Sequence, residues 1–190
     1  MSGWRAIVPL NFGGACKTRL AARLSPGGRD RLVNAMARHV VSRLEASGAI
    51  ADIAVLSPRR PPFPGAQWLA DGGCGLNAEL ASVLAGRRAL VIHADLPLLT
   101  ADDIAALTES ADQRGAAIAP DRAGAGTNAL ALVAAQGFRP QFGPESFARH
   151  RRALPVAALV DRPGLACDVD TAADLDHVLA AGAATIAGSI

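Results

Sequence analysis

Three aspartates carry the first chemistry the sequence suggests. Asp95 follows the apolar run Ala89–His93, in ALVIHADLP, and Asp168 and Asp170 stand two apart in CDVD. In an extended chain, residues i and i+2 point to the same side. Two carboxylates placed this way repel each other unless a cation lies between them. Together the three offer the hard oxygen ligands that Mg²⁺ takes alongside substrate phosphates. Each also has a plainer reading. Asp95 can cap the turn before Pro97, and Asp168 and Asp170 can be solvated turn residues ahead of a helix capped by Thr171.

Four loops accompany the carboxylates. The first, NFGGACKTRL (11–20), combines Gly13 and Gly14, which let backbone N–H groups approach an anion, with Lys17 and Arg19. Its spacing is neither GxxxxGK[ST] nor GxGxxG, so it is no P-loop and no dinucleotide fingerprint. The second, ADGGCGLN (70–77), leaves room for a planar base, with Asp71 and Asn77 able to bond its edge or the ribose; it also fits a tight strand-to-helix turn. The third holds Gly124, Gly126, Thr127 and Asn128, whose hydroxyl, amide and backbone donors suit a carboxylate or phosphate. Phe142, Gly143 and Ser146 form a fourth patch near Arg149, Arg151 and Arg152, a basic run that equally fits a solvated helix face. The four histidines (39, 93, 150 and 177) are scattered and make no triad; His93 reads as core.

The elements that must position these loops alternate between short apolar runs and amphipathic stretches. Trp4–Pro9 reads as a strand buried on both faces, and Ile53–Leu56, Ala89–His93, Ala116–Ala119, Ala129–Val133 and Val156–Val160 read as further strands. Ser25 caps and Pro26 opens a helix in which Leu32, Met36, Val40 and Leu44 recur every four residues, up to Gly48. A second helix follows Asn77, Phe147–Arg152 reads as another, and Thr100/Asp103 and Thr171/Asp174 make two capping boxes. The proline-rich stretch 57–65 is a loop, and the residues after about Gly182 are expected to fray. This pattern predicts a single α/β three-layer domain over residues 1–190 with a mainly parallel sheet.

Composition narrows the class. Of 190 residues, 51% are hydrophobic and 4% aromatic, so alanine, leucine and valine must build a large core. A net charge of +2 is too small to argue for nucleic acid or an anionic membrane. No apolar run reaches the roughly 20 residues of a membrane span, and the N-terminus does not read as a signal peptide. Cys16, Cys74 and Cys167 form no CxxC pair, which argues against a zinc site or disulfide framework. A cytoplasmic enzyme is the expectation. Oligomeric state is open, with a homodimer among the options.

Read in order, VPLNFGGACKTRLA, ADGGCGLNAEL, ADLPLL, PDRAGAGTNAL, FGPESFARH and DVDTAADL resemble the 2-phospho-L-lactate guanylyltransferase family of coenzyme F-420 biosynthesis, whose acceptors include phosphoenolpyruvate and 3-phospho-D-glycerate. The resemblance runs from about Trp4 to Leu175. It implies a Rossmann-like fold of the nucleotide-diphosphosugar transferase type. It also implies transfer of GMP from GTP to a small phosphorylated carboxylic acid, with release of pyrophosphate. On this basis Gly13, Gly14, Lys17, Asp71, Gly75 and Asn77 belong to the GTP side, with Lys17 and Asp95 catalytic. Asp95, Asp168 and Asp170 would hold Mg²⁺, and Thr127, Asn128, Gly143 and Ser146 would bind the acid. The chain departs from the family at Asn11, where lysine is usual, and mildly at Cys16 and Thr18. Two other readings stand beside this one. A nucleotidyltransferase of another pathway, acting on molybdopterin or a sugar phosphate, is disfavoured because its LAGGxSxRMG-like opening is absent. A non-catalytic GTP-binding regulatory module would keep the glycine loops without needing all three aspartates.

Overall fold

The computed structural model describes residues 3–11, 16–84 and 88–188. Seven strands join one sheet: β1 (Trp4–Pro9), β2 (Ile50–Ser57), β3 (Gln67–Ala70), β4 (Ala89–Ile92), β5 (Ala116–Pro120), β6 (Thr127–Leu132) and β7 (Ala158–Leu159). Their order is β3-β2-β1-β4-β6-β5-β7. Six strands run in one direction; β6 pairs antiparallel with both β4 and β5. The α/β sheet expected from the alternating pattern is therefore present, with one strand reversed.

Successive residues of a central strand face opposite layers, and the core divides accordingly. Ala6, Val8, Leu90 and Ile92 face the layer containing Leu32, Met36, Val40 and Leu44 of α1 (Pro26–Ala46). Ile7 and Val91 face the other layer, with Leu80 of α2 (Leu76–Val83) and Phe142. Two apolar faces on one sheet give the three layers. Burial of each large α1 side chain contributes about 1.5–3 kcal/mol over leaving it exposed.

Local signals set the helix boundaries. Ser25 Oγ accepts from Gly28 N at 3.1 Å and starts α1. Thr100 and Asp103 cap each other reciprocally at the start of α3 (Ala101–Arg114), and Gly115, at φ 83°, ends it. The remaining helices are α4 (Ser146–Ala153), the short α5 (Pro163–Ala166), α6 (Ala172–Ala180) and α7 (Ala184–Ala187). Thr171 and Asp174 form the second capping box, at α6.

Beyond the reversed β6 and the short α5, the structure differs from the expectations at β3 and at the C-terminal end. Strand β3 was not expected: Gln67, Trp68 and Ala70 are exposed, as befits an edge, so no apolar run announces it. Over the described residues beyond Gly182 the chain does not fray. It forms α7, whose Ile186 is fully buried against the layer that holds α1. Among the described residues, no helix is long and apolar enough to cross a membrane.

Candidate active site

The strand order reverses at β1. Strands β2 and β3 lie to one side of it and β4 to the other. In open α/β sheets the crevice at such a switch point, outside the carboxyl ends of the strands, is where ligands bind. Lys17 follows β1 and Asp95 follows β4, so both stand at this crevice. Asp168 and Asp170 arrive between α5 and α6. Gly13 and Gly14 lie outside the described residues.

Lys17 has left-handed backbone angles, φ 53° and ψ 41°, at the head of a 3-10 turn, Thr18–Leu20, anchored by the fully buried Leu20. Its ammonium lies 2.5 Å from Asp95 Oδ2 and 2.6 Å from Asp170 Oδ1. Burial opposes charge on Lys17, but Asp95 and Asp170 outweigh it and hold its pKa above the ordinary lysine value. Burial likewise opposes charge on Asp95. The Lys17 ammonium, with a smaller contribution from His93, reverses this and holds the carboxyl below its ordinary value. Asp168 goes the other way. Its burial and the nearby Asp95 charge raise its pKa, despite a 3.2 Å hydrogen bond from Asn128 Nδ2.

Asp95, Asp168 and Asp170 each offer a carboxylate oxygen, and the three oxygens lie within 4.8 Å of one another. Asp95 Oδ1 is buried and has no hydrogen-bond partner among the described residues. A buried, unpartnered carboxylate oxygen beside two further carboxylates is a donor set that suits a hard divalent cation. The residues present therefore fit Mg²⁺.

A cavity of about 560 Å³ opens in front of these groups. Lys17, Asp95 and Asp170 line it, as do Asp71, Gly73 and Gly75. Asp71 Oδ1 accepts from Gly73 N at 2.8 Å and shapes the glycine loop. Gly75, at φ 92°, is the N-cap of α2, a conformation that only glycine adopts without strain. Leu10, Val33, Met36 and Leu76 supply apolar walls. Arg19 is exposed and does not line the cavity.

Asn77 does not line it either. Its amide is occupied at both ends by the backbone of Phe142: Asn77 Nδ2 donates to Phe142 O at 3.0 Å, and Phe142 N donates to Asn77 Oδ1 at 2.7 Å. Asn77, expected to bond a base or ribose, thus stands outside the cavity lining and spends one donor and one acceptor site on Phe142.

Of the four residues expected to bind an acid, three are turned inward and Gly143 is exposed. Thr127, Asn128 and Ser146 are 1–3% exposed, and neither they nor Gly143 line the cavity. Asn128 Nδ2 donates to Leu165 O and Ala166 O, at 3.0 and 3.2 Å, as well as to Asp168. It thereby fixes the segment that leads into the carboxylates. Thr127 Oγ1 lies 3.0 Å from Nδ1 of the fully buried His150. His150 Nε2 accepts from Gln141 N at 3.0 Å, so Nδ1 carries the proton and donates to Thr127. Gly143 has φ 114° and begins the turn into α4.

Sequence reading missed two histidines. His93 is half-buried and lines the cavity rather than sitting in the core. Its position two residues before Asp95, at the end of a strand, was the available signal. His150 carried none. Its partners, Thr127 and Gln141, are distant along the chain or lack any motif.

Comparisons with known proteins bear on the family and the fold. A family model described as "Guanylyl transferase CofC like" matches residues 4–189. A phosphoenolpyruvate guanylyltransferase from Sphaerobacter thermophilus is 40% identical over 97% of this chain and 95% of its own length. One of the same name from Nocardia farcinica is 38% identical over 94% of this chain and 86% of its own length. Among solved structures, a nucleotide-diphospho-sugar transferase-type protein from Desulfovibrio desulfuricans superposes with a TM-score of 0.73 at 16% identity, covering 100% and 99% of the two chains. A 2-C-methyl-D-erythritol 4-phosphate cytidylyltransferase from Thermus thermophilus superposes with a TM-score of 0.53 at 20% identity, covering 95% and 98%. These two likenesses speak to the fold.

Proposed function

The chain belongs to the guanylyl transferase CofC-like family, and from that premise we propose that it moves GMP from GTP to a small phosphorylated carboxylic acid. Phosphoenolpyruvate is the first candidate acceptor, because the relatives that match over most of the chain carry that name. 2-Phospho-L-lactate and 3-phospho-D-glycerate are the others, and the product would serve coenzyme F-420 synthesis. The observation that carries the reading is the cluster at the switch point. There a lysine lies against two aspartates, with a third carboxylate beside them, at the mouth of the cavity.

In this reaction an oxygen of the acid's phosphate attacks the α-phosphorus of GTP. The bond from that phosphorus to the α–β bridging oxygen breaks, and pyrophosphate leaves with its electron pair. An acceptor phosphate already has an ionised oxygen near neutral pH, so no strong general base is needed. What remains is alignment and charge neutralisation. The Lys17 ammonium has three N–H donors, of which two face Asp95 and Asp170. The third is available to a phosphate oxygen of the leaving pyrophosphate. Asp95, Asp168 and Asp170 would hold Mg²⁺, which when bound polarises the α-phosphate. Asp71 and the Gly73–Gly75 turn, facing the apolar wall, would receive the nucleoside.

The test is a matrix of nucleoside triphosphates against phosphorylated acids, with Mg²⁺ and mass detection of the product. A GMP adduct of one acid, with pyrophosphate in equal amount, is the expected result. Tight GTP binding without pyrophosphate release for any acid would instead favour a regulatory GTP-binding module.

A further inference from the structure

The Phe142 ring contacts two histidines. The ring of His150 lies 4.9 Å from it, edge to face, and the ring of His93 lies 5.4 Å from it, tilted by 41°. The two imidazoles differ in what their nitrogens do. His150 is fully buried, and both its ring nitrogens are bonded inside the protein, to Gln141 N and Thr127 Oγ1. His93 is half-buried and lines the cavity, and among the described residues its ring nitrogens take no hydrogen bond. Neither of them is sealed from solvent. The ring is braced without them. Phe142 is buried, and its backbone N and O are both bonded to the Asn77 amide, so the ring that His93 leans on is itself fixed. An imidazole held this way meets a ligand without the full entropic cost of ordering a free side chain.

Donors are scarce in this cavity. Of the described side chains that line it, Asn11, Cys16, Lys17 and His93 can donate. The Cys16 thiol is taken by Asn11 O, and two of the three Lys17 N–H groups face Asp95 and Asp170. Asp71, Asp95 and Asp170 bring negative charge, and GTP and a phosphorylated acid bring more. His93 follows β4, three strands from β3, whose end leads into Asp71. At the usual strand spacing that is about 14 Å. A nucleoside received at Asp71 therefore leaves phosphate and carboxylate groups, rather than the base, within reach of His93.

We propose that His93 is a substrate-binding residue whose imidazole N–H donates to an anionic oxygen, phosphate or carboxylate, of a molecule held in the cavity. For the identity of that molecule this rests on the guanylyl transfer proposed above. A neutral imidazole always carries one N–H, so the contact requires no change of protonation. It adds to the lysine and aspartate cluster a directional donor without a fixed charge.

The experiment uses the full chain with Mg²⁺, and GTP and phosphoenolpyruvate as probes. His93→Phe keeps a ring against Phe142 and removes both nitrogens; His93→Gln keeps an N–H donor and gives up the ring. Calorimetry gives the affinity for each probe, and pyrophosphate release gives KM and kcat. Ring ¹⁵N NMR of the histidine-labelled wild type reads the His93 nitrogens, assigned by their absence from His93→Gln. In His93→Phe, affinity for at least one probe should fall about tenfold or more, the scale of a hydrogen bond to a charged group, with the melting temperature close to that of the parent. His93→Gln should lose less. In the wild type the His93 ring signal should shift as that probe saturates. A loss confined to phosphoenolpyruvate assigns the oxygen to the acid, and one confined to GTP assigns it to the triphosphate; either supports the proposal. Affinities within about twofold for both probes in His93→Phe, or a ring signal that neither probe moves, would overturn it and leave His93 a packing partner of Phe142. If His93→Phe does not fold, the wild-type ring signal decides. If the wild type binds both probes but releases no pyrophosphate with any acid, the proposed reaction falls, while affinity and NMR still decide His93. A wild type that binds neither probe overturns both.

Discussion

The rim of the switch point and the buried ground around Thr127, Asn128, Ser146 and His150 use polar side chains in opposite ways. At the rim, Lys17, Asp95, Asp170 and Asp71 keep their charged groups on an open cavity, and Asp95 retains a buried oxygen without a partner among the described residues. In the buried ground, Thr127, Asn128, Ser146 and His150 are almost wholly buried, and the Thr127, Asn128 and His150 side chains are bonded inside the protein. The first region leaves interactions to be completed by a ligand. The second completes its own and holds backbone in place. Substitutions in the two regions should therefore fail differently.

The largest expected effect is at the rim. Asp95→Asn should lower turnover by about 10²–10³-fold or more, the scale of losing a key electrostatic contact in a transition state. Its melting temperature should stay close to that of the parent. A variant that kept near-normal pyrophosphate release with Mg²⁺ and GTP would break the comparison, since the rim would then not be where the reaction is carried.

The second effect belongs to the buried region and is read by pH. Burial, followed by the Arg149 charge, pulls the His150 imidazole down to about 4. A histidine whose folded pKa lies below its unfolded value contributes stability above about pH 6.5, lost as pH falls toward the folded value. Between pH 6.5 and 4 the protein should therefore lose roughly 3 kcal/mol through this residue. Urea titrations across that window, compared with His150→Gln, isolate the contribution from the carboxylates. Identical slopes for the two proteins would remove His150 from the account.

The smallest effect lies where the regions meet. Asn128→Ala frees Leu165 O, Ala166 O and one oxygen of Asp168. Stability should drop by about 1–3 kcal/mol, the cost of leaving buried acceptors unpaired. Turnover at saturating substrate should fall far less than in Asp95→Asn. A loss of turnover as large as that of Asp95→Asn would place Asn128 with the reactive groups and sharpen the boundary.

The rim was the legible part of the molecule. Asp95 announces itself because a strand ends beside it, and Lys17 because a basic glycine loop follows a strand. Helix starts were legible for the same reason: Ser25, Thr100 and Thr171 act on backbone three residues away, within reach of local pattern. The buried region was not legible. Its bonds join Asn77 to Phe142 and Asn128 to Asp168, pairs 65 and 40 residues apart, and nothing local marks such partners. The reversal of β6 was hidden too. All six of its residues are buried, and a fully apolar run reads the same in either direction.

One contact described above also bears on how the molecule comes into being. Lys17 and Asp170 are 153 residues apart in the chain, yet their charged groups meet at 2.6 Å. Closing so long a loop carries its entropic cost before the contact can return anything, so such contacts tend to form late. A nascent chain emerging from the ribosome can build β1, α1 and β2 long before Asp170 has been synthesised. Until then Lys17 lacks one of its two counter-ions and the carboxylate group is incomplete. Assembly of this charged cluster is thus coupled to completion of folding, and partly made chains lack it.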